Sequence, residues 1–379
     1  MEKKYFVLSI LIAFFAPTAA FADTPPSLTG DITYTGELWQ NADGGIKNDA
    51  VYLHNIDLSL EGNLEHYGVK GGSFFLYGLI TNKNELSSDL VGDLQVISNI
   101  DNGESFRLYE AWYQHEFTNI RAKMGLIDLN SEFDAIETAG LFLNSSHGIG
   151  PDFSQTGENG PSIFPSTSPA LVIEYNGFQN WRLLAGLFDA VPNDPDRPGH
   201  HKLSLNEGAL LVGEINYKTT NGLRWAFGFY GYTAKFTTLA DPALSKRGNT
   251  GFYTILEAPL TDKIAGWLRF GSANSDLNPL KNYMGGGLVL TAPFVSRPDD
   301  QIGIALGGAR AGKSFKQLIE ENNQRPATGE FNIELTYHYR VSDTISIQPD
   351  LQYVINPGSN HALKNALVIG VRFQVGQRF

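Results

Sequence analysis

The sequence predicts a transmembrane antiparallel β-barrel of sixteen strands, and three observations lead to that prediction. Sixteen stretches either alternate apolar and polar residues, with the period of two that is typical of a strand with two different faces, or are plausible as strands. Most of them are close to the ~9–11 residues that a tilted strand needs to cross a bilayer. The connections alternate between long and short, which predicts long extracellular loops at one end of a barrel and short periplasmic turns at the other.

The composition narrows the class of protein before any motif is considered. The 379 residues carry a formal net charge of −12, an acidic balance that argues against a nucleic-acid partner. The 40 glycines, 24 phenylalanines and 16 tyrosines favour strands over helices. The chain has no cysteine, so an exported form would rely on a closed sheet or a large core rather than on disulfides.

The first residues have the three parts of a secretory signal peptide. Lys3 and Lys4 give a positive start, Tyr5–Ala16 is an apolar core, and Ala20–Ala22 is a cleavage site of the small-x-small type. A membrane anchor is the alternative, but this apolar run is short for one and lacks a stop-transfer flank. We therefore expect residues 1–22 to be removed and residues 23–379 to form a single barrel domain.

The two faces of the predicted strands differ in polarity. In the strand Glu330–Val341, apolar and aromatic residues from Phe331 to Tyr339 alternate with polar and charged residues from Asn332 to Arg340. A barrel of sixteen strands is too wide for side chains to fill, so an apolar interior would stay empty or wet. We therefore expect the apolar face to contact lipid and the polar face to line a water-filled lumen, with the sheet closed because lipid tolerates no unpaired edge.

The connections are expected to differ in role. Long ones, such as Thr81–Gly103, are expected at the extracellular end, and short ones, such as Ser342–Asp343, at the periplasmic end. The connection Asn130–Ser168 is unusually long for a loop without secondary structure, and such loops are often functional. Two interpretations stay open for it: a disordered outer loop, or a loop folded into the lumen as a constriction.

Motifs of other protein classes also occur, and they carry less weight. The segment Gly307–Ser314, GGARAGKS, matches the phosphate-binding loop pattern, but no alternation of helices and strands supports it, and we expect a strand end followed by an outer loop with one or two helical turns. The loop Val191–His201 offers metal ligands, yet it lacks the spacing of a calcium loop, and its three prolines indicate a stiff turn. With no G-x-S-x-G elbow and no marked pair of carboxylates, we expect no enzyme.

Four stretches resemble the carbohydrate-selective, OprB-type outer-membrane porins. They are SFRLYEAWYQHEF, GIGPDFSQTGENGPSIFPSTSPAL, GLFDAVPNDPDRP and IELTYHYRVSDTISIQPDLQYVINPG, and the resemblance extends through most of the mature chain. It implies a sixteen-stranded barrel through which glucose and other sugars diffuse inward. One departure lies at the start, where Leu28–Gly30 lead directly into DITYTGELW without the Asp-Trp-Gly-Gly-x-Arg element that the family often has.

A sugar-selective lumen should combine hydrogen-bonding groups of both charge signs with an aromatic surface for the apolar face of the ring. In YEAWYQ, Glu110, Trp112 and Gln114 share one face and place an acceptor, a stacking plane and an amide side by side. The same charges could instead only solvate the wall and pair with one another. The candidate sugar-binding residues of the lumen wall are Glu110, Trp112, Gln114, Arg121, Lys123, Arg182, Glu214, Arg224, Trp267, Arg269, Glu334, Arg340, Asp350 and Arg372.

We therefore predict a porin in the outer membrane of a Gram-negative bacterium, for passive diffusion of mono- or oligosaccharides and without a cofactor or metal. The alternatives are a general or anion-selective diffusion porin and, in another class, a secreted β-rich glycosidase or adhesin. Phe379 ends the last predicted strand, Ala366–Arg378, and the resemblance implies that it is the signal for the barrel-assembly machinery. If the barrels form homotrimers, Gly285–Gly287 is the candidate contact.

Overall fold

The computed structural model describes residues 28–103, 105–192, 207–241 and 243–379. Sixteen antiparallel strands form one closed barrel, which confirms the predicted fold class and the number of strands. The predicted signal peptide, residues 1–22, lies outside the described residues, as does Asn193–His201 of the proline-containing loop.

The strands follow one another around the barrel in chain order, except that a short hairpin, β10 and β11, lies apart in the loop between β9 and β12. Their bounds are β1 Leu28–Gly45, β2 Ala50–Asn63, β3 Gly72–Thr81, β4 Ser105–Glu116, β5 Ile120–Ile127, β6 Ser168–Phe178, β7 Trp181–Asp189, β8 Ala209–Lys218, β9 Arg224–Tyr232, β10 Phe236–Thr237, β11 Ser245–Lys246, β12 Thr250–Pro259, β13 Ile264–Ala273, β14 Leu280–Thr291, β15 Gln301–Ala311, β16 Gly329–Arg340, β17 Ile345–Ile355 and β18 Lys364–Arg378.

Helical segments occur in the connections. They are the α-helices α1 Ser145–Gly148, α2 Pro151–Ser154 and α3 Lys313–Glu321, the 3-10 turns Glu65–Tyr67, Leu129–Ser131, Glu137–Leu141 and Pro357–Ser359, and a π-helical turn Ser87–Val91. Within the described ranges, no helix has both the length and the apolar character needed to cross a membrane. The GGARAGKS segment is the end of β15 followed by the start of α3, as predicted.

The burial of alternate residues confirms the two faces. On β16, Ile333 and Leu335 are 37% and 47% exposed on the outer face, whereas Glu334 between them is fully buried. The same pattern holds on β17, where the polar residues Gln348 and Asp350 lie on the buried side. The apolar outer face suits lipid, and the polar inner face contacts only other protein groups and the lumen.

The last strand closes the barrel against the first, as expected from the sequence. Leu38 of β1 pairs with Val371 of β18, and the register continues to Asp31 opposite Arg378. One position further, Gly30 and Phe379 exchange two backbone hydrogen bonds of 2.9 Å. The Phe379 side chain is 76% exposed on the outer face, at the end of the barrel where the chain of β1 enters.

The connections alternate between the two ends of the barrel, but their lengths do not follow the predicted rule throughout. We assign the end with residues 128–167 to the extracellular side, because outer-membrane barrels carry their longest loops there. On that side, the connection between β1 and β2 is only residues 46–49, whereas the periplasmic connection between β14 and β15 is the longer segment 292–300. The end at which a connection lies is set by the antiparallel order of the strands, not by its length.

Candidate permeation pathway

Two outer connections fold back into the barrel. We call residues 82–103, between β3 and β4, the first inner loop, and residues 128–167, between β5 and β6, the second inner loop. The second inner loop reaches Glu334 on β16, which is the eighth strand from β6 in either direction around the ring and therefore directly opposite. This loop crosses the lumen, which agrees with one of the two interpretations left open by the sequence.

A buried ion triad attaches the second inner loop to β13. Arg269 donates from Nε and Nη2 to the two carboxylate oxygens of Asp134, at 2.8 and 2.6 Å, and from Nη1 to Asp152 at 2.6 Å. All three side chains are inaccessible to solvent. The N–H of Asp134 also donates to Glu214 on β8 at 2.9 Å. Buried charges persist only when they are paired, so the charge of Arg269 is satisfied by the loop itself.

A second attachment of the same loop uses carboxylate and amide groups of β16 and β17. The carboxylate of Glu334 accepts hydrogen bonds from the backbone N–H groups of Leu143 at 2.6 Å and Asn144 at 3.1 Å. Gln348 donates to the carbonyl oxygen of Leu141 at 2.7 Å. Backbone groups of an irregular loop inside a barrel need such partners, and the polar wall supplies them.

The first inner loop, which leaves the wall at the extracellular end as predicted, is held in the same way. Glu330 on β16 accepts the N–H of Leu94 at 2.8 Å, and the hydroxyl of Ser98 donates to Glu37 on β1 at 2.6 Å. Arg372 on β18 donates to the same Glu37 at 2.5 Å. The inward fold of this loop was not predicted, because loop length alone does not show whether polar wall residues will bind the backbone of the loop.

All fourteen candidate wall residues lie on strands with their side chains on the inner face, but they differ in accessibility. Those that are largely buried beneath the inner loops or among their neighbours are Glu110, Lys123, Glu214, Trp267, Arg269, Glu334, Asp350 and Arg372. Those that remain partly or fully accessible are Trp112, Gln114, Arg121, Arg182, Arg224 and Arg340. Arg340 lies at the periplasmic rim and pairs with Asp343 at 3.1 Å. Contact of any of these residues with a sugar stays a prediction.

The accessible arginines of β5 and β7 belong to a network that we call the basic ladder, formed by Arg121, Lys123 and Arg182 with two carboxylates. Arg121 pairs with Glu132 of the second inner loop at 2.6 Å and with Glu174 on β6 at 2.6 Å. Arg182 pairs with the same Glu174 at 3.0 Å, and Lys123 pairs with Glu132. Each basic residue of the ladder thus has a carboxylate partner, so the wall carries both charge signs.

Aromatic rings lie next to the basic ladder. The Trp112 ring stacks on Phe75, with centroids 5.3 Å apart and planes inclined by 28°, and it lies 4.0 Å from Lys123 Nζ. Its indole N–H donates to Glu110 at 3.2 Å. Tyr77 meets Phe75 edge to face at 6.1 Å. We call Phe75, Tyr77 and Trp112 the aromatic stripe; only Trp112 was selected from the sequence.

Below the second inner loop, a cavity of about 860 Å³ opens toward the periplasmic turns. Its lining includes Glu132 of the loop and Arg182, Arg224 and Glu257 of the wall. Arg224 donates to Glu257 at 2.6 Å. The volume falls in the range of ~300–1,000 Å³ that is usual for sites of small molecules. We call this cavity the periplasmic vestibule.

A β-bulge on β4 directs another arginine inward. The register of β3 and β4 shifts at Tyr77, which leaves Tyr109 as the extra residue, and both Tyr109 and Glu110 are buried. Strict alternation from Glu110 would place Arg107 on the lipid face, but the bulge reverses the parity and turns the side chain inward. There, Arg107 donates a hydrogen bond to the carbonyl oxygen of Pro165 at 2.8 Å. No residue pattern in this strand announces the bulge, so sequence reasoning missed Arg107.

Sequence reasoning also missed the acidic loop residues Glu132, Asp134 and Asp152. The available signal was charge complementarity, since a long loop with several carboxylates faces a wall with several arginines. Periodicity identifies wall residues well, but it contains no information on a loop that lacks a period.

The model of the carbohydrate-selective porin, OprB family, matches residues 47–376. Porin B of Pseudomonas aeruginosa is 26% identical over 395 residues, covering 90% of this chain and 86% of the relative. The putative porin QuiX of Acinetobacter baylyi is 23% identical over 384 residues, with 88% and 86% covered. The high-pH structure of Pseudomonas putida OprB has a TM-score of 0.84 at 21% identity and covers 93% of this chain and 94% of that one. The chain therefore belongs to the OprB family of carbohydrate-selective porins, outer-membrane channels through which sugars diffuse.

Proposed function

We propose that small neutral sugars cross this channel along the β4–β9 side of the lumen and enter the periplasm through the vestibule. The observation that carries the proposal is the aromatic stripe beside the basic ladder, where the Trp112 ring lies 4.0 Å from Lys123 Nζ. The apolar face of a sugar ring can stack on an indole, while its hydroxyls bind charged groups of either sign. Such contacts are weak singly, which permits exit as well as entry.

The pairing of charges supports a neutral solute. Arg121 forms ion pairs with Glu132 and Glu174, and Arg224 forms ion pairs with Glu257 and Glu214. The wall therefore presents hydrogen-bonding groups without a strong net electric field. Transport on this proposal is passive diffusion and includes no covalent step. An anion-selective pore remains the second candidate, because Arg182 and Arg340 keep side chains 41% and 43% exposed on the inner face.

Liposome swelling with two solutes of similar size, neutral glucose and anionic gluconate, tests the proposal. We expect the wild-type channel to admit glucose faster. The double variant Glu132→Gln with Glu174→Gln removes the partners of the basic ladder, so we expect the preference to shift severalfold toward gluconate. The control Asp276→Asn removes an exposed carboxylate paired with Lys246 on an outer loop and should leave the preference unchanged. A wild-type channel that favours gluconate would support the anion-selective candidate instead.

We further propose that the chain is exported with cleavage after Ala22 and that the C-terminal strand is recognised by the barrel-assembly machinery. The exposed ring of Phe379 at the periplasmic end of β18 supports this role. Deleting Phe379 should reduce the amount of heat-modifiable, folded barrel in the outer membrane while leaving the conductance of the inserted fraction unchanged. Insertion at the wild-type level would contradict it.

We also propose that Gly286 is the part of Gly285–Gly287 available to a neighbouring barrel, if homotrimers form. Gly286 packs against the outward side chain of Leu268, whereas Gly285 and Gly287 abut the inward groups Tyr283 and Trp267. Chemical cross-linking of the protein in native membranes measures the oligomeric state directly.

A further inference from the structure

An apolar groove of about 870 Å³ crosses the lipid-facing surface from β12 to β17. Its floor includes Gly266 on β13, Gly286 on β14 and Gly308 on β15. In the strand register, Gly286 pairs with Leu268, which lies two residues closer to the extracellular end than Gly266. Gly308 pairs with Met284, which lies two residues closer to that end than Gly286. The three outward-facing glycines therefore lie on one diagonal of the sheet, flanked by aliphatic side chains.

The length of this diagonal suits a single hydrocarbon chain. Adjacent strands are ~4.8 Å apart and two residues extend ~6.8 Å along a strand, so each step from glycine to glycine is about 8 Å. The two steps from Gly308 to Gly266 span about 17 Å, close to half of the ~30 Å hydrocarbon core. Gly266 lies near the periplasmic start of β13, and the groove lining includes Leu260 of the adjoining turn, so the groove continues toward the inner leaflet. Its extracellular half, with Gly286 and Gly308, lies in the outer leaflet.

Cationic side chains lie at the extracellular end of the groove. On β15, the outward row is Ile304, Leu306, Gly308 and then Arg310, so the arginine directly follows the last glycine of the diagonal. Arg310 is opposite Asn282 of β14, whose neighbour Lys281 is also exposed. In the part of the chain that the structure describes, neither Arg310 nor Lys281 has a hydrogen bond or ion pair through its side chain.

We propose that the extracellular half of this groove binds a phosphate-bearing lipid of the outer leaflet, with one acyl chain over Gly308 and Gly286 and the phosphate on Arg310 and Lys281. Arginine forms bidentate hydrogen bonds with phosphate, and lysine adds a point charge. A second copy of the barrel is the other conceivable occupant. It would cover the glycines, but it would not by itself neutralise the two unpaired cations, which favours the lipid.

The proposal is tested by native mass spectrometry of the detergent-purified protein titrated with bisphosphorylated lipid A and with its dephosphorylated form. We expect tight binding of one molecule of the phosphorylated form and at least fivefold weaker binding of the other. Arg310→Gln with Lys281→Gln should weaken binding of the phosphorylated form at least fivefold. Gly308→Leu should do the same by filling the groove, since a Cβ there meets the Phe331 ring at 3.0 Å and the carbonyl oxygen of Met284 at 3.8 Å.

Two matched variants control for charge and for bulk. Lys83→Gln removes an exposed extracellular cation that follows β3, seven strands away from β14 around the barrel. Gly213→Leu adds the same side chain at an outward glycine of β8, where a Cβ meets no atom closer than 4.0 Å. Both should bind lipid A like the wild type, and inorganic phosphate at millimolar concentration should not compete. The proposal would be overturned if the wild type and the double variant bound phosphorylated lipid A with equal affinity. It would also be overturned if Gly308→Leu dissociated a dimer or trimer without changing lipid binding.

Discussion

The two sides of the lumen share one strand pattern and use it differently. On β13–β18, the inward charges Arg269, Glu334 and Arg372 are buried and are paired with groups of the inner loops or of the neighbouring strand. On β5–β7, Arg121 and Arg182 stay partly accessible and share carboxylates beside the aromatic stripe. Alternation thus identifies the residues that face inward, but the docked loops determine which of them can meet a solute.

Replacing Arg269 should affect the docked side of the lumen more than any other single substitution. The variant Arg269→Met leaves Asp134 and Asp152 buried without their cation, which costs about 3–5 kcal/mol. We expect a large loss of stability against guanidinium and a higher single-channel conductance, because the second inner loop loses its attachment. Arg182→Met on the open side is the control and should cost less than about 1 kcal/mol. Equal losses for the two variants would contradict the division into anchoring and accessible residues.

A smaller effect is expected when Glu334 is replaced by Gln. The substitution keeps the shape of the side chain but removes the charge that accepts the N–H groups of Leu143 and Asn144. Hydrogen bonds to charged groups contribute about 1.5–3 kcal/mol, so we expect a loss of that order or less. Amide hydrogen exchange at Leu143 and Asn144 should become faster. Unchanged exchange would show that the carboxylate does not hold this part of the loop.

On the accessible side, Trp112→Ala should change transport more than stability. Aromatic stacking contributes about 0.5–1.5 kcal/mol, which corresponds to a roughly two- to tenfold weaker interaction with the sugar. We expect glucose to reduce the ion current less in this variant than in the wild type, at the same open-channel conductance within a factor of about two. A matched Phe270→Ala change on the outer face should not alter the effect of glucose.

The smallest expected effect is a pH dependence of the first inner loop. Burial raises the pKa of Asp93 to about 7, and the carboxylates of Asp101 and Glu330 are its acidic neighbours. Because this pKa lies above the value of ~3.9 in an unfolded chain, the protonated form favours the docked loop, and the stabilisation is lost as the pH rises through 7. Hydrogen-exchange protection of residues 82–103 should therefore fall between pH 5 and pH 8 in the wild type. The fall should be smaller in Asp93→Asn, in which the carboxyl groups of Asp101 and Glu330 still titrate.

The fold followed from the sequence because strand alternation is local. Each of the sixteen strands was predicted as a local segment that alternates or is plausible as a strand, and every candidate wall residue lies on the inner side that its parity predicts. Loop docking depends instead on pairs far apart in the chain: Leu94 and Glu330 are 236 positions apart. Neither member of such a pair looks unusual by itself. The bulge at Tyr109 is equally hard to predict from the sequence, because one inserted residue reverses the inward and outward parity of the strand without a change in composition.

The ion triad at Arg269 and the hydrogen bonds at Glu334 have a mechanical consequence. The second inner loop leaves the wall between β5 and β6 and is fastened again on the opposite wall, so it acts as an internal strut across the diameter of the cylinder. A hollow tube without such a strut flattens easily under lateral compression, whereas a braced tube keeps its cross-section. We expect the size limit for permeating solutes to be set by the length of this strut and to be insensitive to the thickness and lateral pressure of the surrounding bilayer.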